Sequence, residues 1–186
     1  MLQRNTAHEL GCSCGELLAR RPVDRRRFLQ LAGAGLTAAA LLPDYVLAAG
    51  TYEAMVLSCI DPRFQTLVSG YTAQRDLVGK YSQFTFAGAA IGVVAPAFQS
   101  WHNTFWENLG ASIQLHSISK VIVINHRDCG AAKIAYGDAA VATPAAETQT
   151  HRDALAAFRQ ELKTRHPQMG VETGLMALDG TLESFS

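Results

Sequence analysis

Charge of one sign is missing from this sequence: 16 lysines and arginines balance 16 aspartates and glutamates over 186 residues. That balance excludes a nucleic-acid binder held chiefly by phosphate contacts, which needs a basic surplus. Cysteine is scarce too, four in all. Cys12 and Cys14 lie near the start, and Cys59 and Cys129 stand far apart later. A disulfide scaffold needs a denser framework, and a hydrophobic fraction of 48% gives this chain a core without staples. No apolar run approaches the roughly 20 residues that span a bilayer comfortably. Repeats of fixed period and low-complexity segments are absent, which excludes solenoids and arrays. The length suits one ordinary domain.

What is present begins with an unusual first fifty residues. A basic cluster, VDRRRFLQ (23–30), leads into a short apolar run, LAGAGLTAAALL (31–42), and then PDYVLAAG (43–50). Basic, apolar and small residues in that order make an export signal. Arg25-Arg26-Arg27-Phe28-Leu29 resembles the twin-arginine signal, R-R-x-F-L. Cleavage is expected after Val46-Leu47-Ala48 or one residue on; an uncleaved anchor or an amphipathic helix is the alternative. Residues 1–49 are therefore expected to be a signal and 50–186 the folded domain, periplasmic or extracellular, meeting membrane only during export. Six of the 16 basic residues and four of the 16 acidic ones precede residue 50. The remainder carries ten against twelve, near −2, so no general attraction to DNA or anionic lipid is expected. Twin-arginine export carries folded proteins, often ones that first acquire a metal or cofactor.

Along the mature chain, EAMVLSC (53–59) reads as a buried strand. A helix is expected over 64–78, a second strand over QFTFAG (83–88), and a long or broken helix over 95–118, with Trp106, Leu109 and Ile113 on one face. KVIVIN (120–125) is the clearest strand, and its unalternating apolar pattern predicts burial on both faces, as in a parallel sheet. Thr143-Pro144 looks like an N-cap followed by an N1 proline. The helix beyond runs to about Arg165 with Leu155, Phe158 and Leu162 inward. VETGLMAL (171–178) is expected as a last strand, ended by an Asp179-Gly180 turn. Strands alternating with helices predict an α/β fold, a mainly parallel sheet flanked by helices.

In such a sheet ligands gather beyond the carboxyl ends of the strands. Cys59 ends the first strand, and His126 and Cys129 follow the third. Two thiolates and an imidazole suit zinc, with a fourth position left for water in a catalytic site. The mature chain has no third thiol, so a site of three or four cysteines within one subunit is excluded. Beside Cys59 stands Cys59-Ile60-Asp61-Pro62-Arg63. On extended backbone, residues 59, 61 and 63 share a side, and Pro62 biases Asp61 to that geometry. Asp61 can accept a hydrogen bond from metal-bound water, and Arg63 can hold Asp61 ionised through a bidentate pair.

C-x-D-x-R followed by H-x-x-C-G resembles the β-class carbonic anhydrases, over about residues 53–183. The matching residues are Cys59, Asp61, Arg63, His126 and Cys129, with Gly130 and Ala131 continuing the second motif. The resemblance implies zinc held by Cys59, His126 and Cys129, with Asp61 and Arg63 as the catalytic pair that gates the fourth ligand. It also implies reversible hydration of carbon dioxide to bicarbonate by zinc-bound hydroxide, and a homodimer or larger homo-oligomer. Where the family usually has an R-N-A-G-N-like loop this chain reads FTFAGAAIG (84–92), and Asn125 stands where glycine is usual, which places it in a divergent branch. The alternatives are a related carbonyl sulfide or carbon disulfide hydrolase and a catalytically silent zinc-binding protein. Phe84, Phe86, Ala87, Gly88 and Val93 are expected to line the carbon dioxide pocket. Two thiolates offset much of the charge of zinc, so activity is expected to rise toward alkaline pH. Asp128 is expected to cap the helix after Cys129. His116 is expected in the core and His102 and His166 at the surface. Glu147 and His151, spaced i,i+4, are expected on a solvated helix face, with a metal pair or proton shuttle as the alternative. Trp101, Phe105 and Trp106 suit a core or a dimer interface.

Overall fold

A computed structural model describes residues 52–186. The expected signal over 1–49, with Cys12 and Cys14, lies outside the described residues. Among the described residues no helix is long and apolar enough to cross a membrane.

Five strands form one sheet in the order β2-β1-β3-β4-β5. Strand β1 (Ala54–Ser58) pairs in parallel with both β2 (Tyr81–Thr85) and β3 (Lys120–His126), and β3 pairs in parallel with β4 (Gly170–Met176). The short β5 (Leu182–Phe185) runs antiparallel on the outer edge of β4. This is the mainly parallel α/β sheet that the sequence predicts. All five residues of β1 are buried, as are six of the seven in β3, because helices cover both faces.

The connections are helical. Helix α1 (Pro62–Gln74) follows β1, α2 (Ala90–Val94) follows β2, and a 3₁₀ turn (Pro96–Trp101) leads into α3 (His102–His116) before β3. Helix α4 (Gly130–Tyr136) and a 3₁₀ turn (Asp138–Val141) precede the long α5 (Pro144–Arg165) and β4. On one face Val56, Ile122 and Ile124 pack with Phe64, Val68 and Ala132 of α1 and α4. On the other, Leu57, Val121 and Val123 pack with Phe105 and Leu109 of α3 and Leu155, Phe158 and Leu162 of α5. Each of the valine, leucine, isoleucine and phenylalanine side chains among them, fully buried, contributes about 1.5–3 kcal/mol. Helix α5 starts as expected: Thr143 is its N-cap, accepting the Ala146 N–H at 3.1 Å, and Pro144 opens the first turn.

Several boundaries differ from expectation. Helix α1 begins at Pro62, two residues early, because Asp61 caps it and proline tolerates the first turn. It stops at Gln74, short of 78. Strand β2 covers 81–85, Phe86 still donates its N–H to the Ser58 carbonyl, and Ala87 to Ala89 form the turn that follows. The stretch 95–118 is broken: Pro96 opens the 3₁₀ turn, and Phe98 within that turn has non-helical dihedrals. His126 is the last residue of β3 and does not lie past its end. The strand over 171–178 is followed by another, since the turn at Gly180 (φ 90°) leads into β5.

Candidate metal centre

Strands β1 and β3 are neighbours, registered Ser58 against Ile124. Their carboxyl ends therefore bring Cys59 and His126 side by side. The chain then turns through Arg127 and Asp128 and enters α4, with Cys129 as the N-cap. One ligand atom from each of Cys59, His126 and Cys129 lies within 4.8 Å of the others, and all three residues are buried. Both cysteines are free thiols.

Each group is aimed by a neighbour. Nδ1 of His126 lies 2.8 Å from the Arg127 carbonyl oxygen, so Nδ1–H donates and Nε2 keeps its lone pair. That Nε2 is buried without a partner. The Phe64 ring backs the imidazole at a centroid distance of 4.8 Å. The Gly88 N–H donates to Cys59 Sγ at 3.3 Å. The Cys129 thiol beside it draws Cys59 down against burial, while the same neighbour and burial push Cys129 up. Two buried sulfurs this close share one proton unless a cation sits between them. Burial works to depress His126, and the nearby sulfur and charge of Cys59 outweigh it, so its net shift is upward. A partnerless buried imidazole nitrogen and two thiols fit a tetrahedral ion of the zinc type, which takes nitrogen and sulfur donors.

Asp61 stands beside this cluster, with Oδ2 4.0 Å from His126 Nε2. Its backbone, at φ −55° and ψ 124°, is extended as expected before proline. Arg63, however, lies in the first turn of α1, so helix capping and not strand alternation makes the pair. Asp61 Oδ1 accepts from the Arg63 backbone N–H (2.9 Å) and Nε (3.0 Å), and Oδ2 accepts from Nη2 (2.7 Å). These bonds with Arg63 hold the Asp61 carboxyl down at about 2. Arg63 Nη1 also reaches Asp128 Oδ2 at 2.7 Å, and Nη2 reaches the Asp128 carbonyl at 3.1 Å. One guanidinium thus ties the β1–α1 turn to the β3–α4 turn.

Asp128 does not cap α4. It has a left-handed backbone, φ 56°, and its carboxylate is committed to Arg63. Its N–H donates to Glu147 Oε1, and Arg127 Nη1 donates to Glu147 Oε2 at 3.2 Å. Glu147 therefore braces the turn between His126 and Cys129 and does not belong to a solvated face. His151 is fully buried as well. Its Nδ1 lies 3.0 Å from Asn125 Nδ2, and burial, with the charges of His126 and Arg127, lowers it to about 4. Glu147 and His151 are thus engaged separately and form neither a metal pair nor a relay. The inward turn of His151 is signalled by spacing, since 151, 155, 158 and 162 continue one apolar stripe.

A pocket of about 360 Å³ adjoins the cluster, lined by Asp61, Arg63, Asp128, Cys129, Gly130, Lys133, Val141 and Glu147. Phe84, Phe86, Ala87, Gly88 and Val93 do not line it. Phe84 packs edge-on to Phe105 and Phe86 edge-on to Trp101, while Val93 is core. Phe105 and Trp106 are core residues too, whereas Trp101, stacked on Phe98 at 4.3 Å, is 38% exposed. His116 is half-buried, 2.7 Å from Ser82 Oγ. His102 and His166 are half-buried as well, not fully exposed, with His102 Nε2 3.0 Å from the Ala95 carbonyl.

An uncharacterized protein of Rickettsia conorii is 30% identical over 131 residues, covering 70% of this chain and 70% of that one. Another, from Rickettsia bellii, is 29% identical over 131 residues, covering 70% of this chain and 80% of its own. Among solved structures, the β-carbonic anhydrase CcaA superposes with a TM-score of 0.55 at 12% identity, over 87% of this chain and 86% of its own, a likeness of fold. A carbonic anhydrase from Streptococcus mutans gives a TM-score of 0.47 at 16% identity, over 86% and 97%. A family described as "Putative carbonic anhydrase" matches residues 50–173, which is most of the sheet and all three clustered donors, and the chain belongs to that family.

Proposed function

We propose that the protein is a zinc-dependent carbonic anhydrase that interconverts carbon dioxide and bicarbonate. Cys59, His126 and Cys129 are its metal ligands, and Asp61 and Arg63 serve the reaction. The observation that carries this reading is the partnerless His126 Nε2 among two thiols within 4.8 Å, with an ionised carboxylate 4.0 Å away. Zinc on three protein donors supplies Lewis acidity that brings the ionisation of water toward neutral pH.

The chain's own residues do the rest. Asp61 Oδ2 accepts a hydrogen bond from the reacting water, which fixes its O–H direction and turns a lone pair toward the incoming carbon. Arg63 is a positioning residue: three hydrogen bonds set the carboxylate, and its charge keeps Asp61 an acceptor only. The water oxygen bonds to carbon, one C=O π pair moves onto oxygen, and one proton leaves. The balance is carbon dioxide plus water to bicarbonate plus a proton. The adjoining pocket is wide enough for a three-atom substrate and opens to solvent, where the proton departs. Export through the twin-arginine route, supported by residues 23–42, and a homo-oligomer that covers exposed Trp101 and Ile134 complete the reading.

The test is stopped-flow hydration of carbon dioxide with zinc measured per chain on the same sample. Fast, zinc-dependent turnover that Cys59→Ser abolishes is expected. Asp61→Asn should lose rate on the order of 10²-fold with zinc content unchanged. One zinc per chain without turnover would refute the carbonic anhydrase reading and direct assays to carbonyl sulfide and carbon disulfide.

A further inference from the structure

From Phe86 to Gly92 the chain reads FAGAAIG, without one polar side chain. This turn nevertheless takes an unusual course, with Gly88 at φ 77° and Ala89 at φ 49° and ψ −113°. Ala89 and Ala90 are fully buried. Such a turn cannot be fixed by its own side chains. Its side-chain anchor comes from β3. Asn125 is 1% exposed, and its Oδ1 accepts the Ala90 N–H at 3.1 Å. Its Nδ2 donates to Nδ1 of the fully buried His151 at 3.0 Å. His151 thereby sets which way the carboxamide faces. Two residues before Ala90, the Gly88 N–H meets Cys59 Sγ. The path from His151 through Asn125 and the turn to Cys59 is continuous and buried throughout. Leucine would fill the place of Asn125 in this apolar strand. A buried amide there is sustained only because its bonds are made.

We infer that Asn125 is a positioning residue for the metal centre: oriented by His151, it holds the turn that presents the Gly88 amide to the Cys59 sulfur. The inference rests on the metal-site reading above. An N–H bonded to a ligating sulfur fixes its lone-pair direction and tempers its donor strength, and loss of such outer partners typically weakens metal affinity about 10–100-fold.

The test is titration of the metal-free full chain with cobalt(II), followed by the sulfur-to-cobalt charge-transfer absorption. Wild type should bind one cobalt. Asn125→Leu keeps the volume and loses both bonds; its affinity should fall roughly 10–100-fold, with a displaced charge-transfer band. Leu162→Ala, eleven residues along α5 from His151, opens the same core away from the turn and should leave affinity and spectrum alone. Should Asn125→Leu fail to fold, His151→Leu carries the test, with an expected loss of roughly 3–10-fold. A folded Asn125→Leu with wild-type affinity and spectrum, or the same result for His151→Leu in its place, would overturn the inference while leaving the metal site standing. Equal loss in Leu162→Ala would also overturn it, as general destabilisation. Wild type that binds no cobalt would overturn the metal-site reading and this inference together.

Discussion

Gly88→Ala is the substitution in which fold and site meet most directly. The backbone there has φ 77°, a region that costs a side-chain-bearing residue roughly 1–2 kcal/mol. A Cβ would stand 2.9 Å from Ala131 Cβ and 3.1 Å from Ile91 Cβ, the first closer than Cβ atoms pack. Overpacking of that kind adds about 1–3 kcal/mol. Against this, alanine restricts the unfolded chain and returns about 0.4–1 kcal/mol. The net expectation is a loss of about 2–3 kcal/mol, or roughly 6–12 °C in melting temperature for a domain of this size. Gly110→Ala is the internal control: it lies in α3, nothing comes within 4 Å of its added Cβ, and helix propensity predicts a gain of up to about 1 kcal/mol. The site should suffer with the fold, because Gly88 donates to Cys59 and Ala131 follows Cys129 by two residues. Thermal unfolding and cobalt(II) titration of both variants decide the matter. A Gly88→Ala protein as stable as wild type, with unaltered metal affinity, would refute the reasoning.

Other expectations can be checked on the same material. Thr143→Ala removes the N-cap of α5 and should lower stability by about 1 kcal/mol in denaturant titration, with turnover unchanged. Asp61 is held below its usual carboxylate value, so it stabilises the fold above about pH 4, and that contribution fades as pH falls toward about 2. Acid unfolding of Asp61→Asn should accordingly lack this part of the wild-type pH dependence. Carbon dioxide hydration should climb from mildly acidic to alkaline pH, since two thiolates leave a metal-bound water less acidic than neutral ligands do. A profile flat across that range would contradict the donor set.

Much of this was legible in the sequence, for reasons that differ by element. The strand KVIVIN declares itself by composition, and Thr143-Pro144 marks a helix start by local chemistry alone. The clustering of Cys59, His126 and Cys129 follows from strand ends in a parallel sheet, so it could be read once the strands were placed. Strand β5 escaped notice because LESF on an outer edge is short and has no fully buried residue. The bracing of Asp128 by Arg63 and Glu147 escaped it too. Those contacts join residues 65 and 19 positions apart, and a left-handed Asp128 leaves no pattern in the chain. His151 is the instructive miss. Its place in the stripe 151, 155, 158 and 162 marks it as inward, while its i,i+4 spacing from Glu147 imitates a ligand pair on an open face.

The adjacency of β1 and β3 also governs the order in which the molecule comes together. Cys59 and His126 are 67 positions apart in the chain. A parallel pairing of this kind is slow, because the intervening loop must close before any contact rewards it. Between them the chain must lay down α1, β2, α2 and α3. Cys59 is therefore a stranger to His126 and Cys129 in the nascent chain and joins them only when β1 pairs with β3. A metal bound there would act as a latch on the paired strands and not as a seed for them, raising the stability of the native state by mass action.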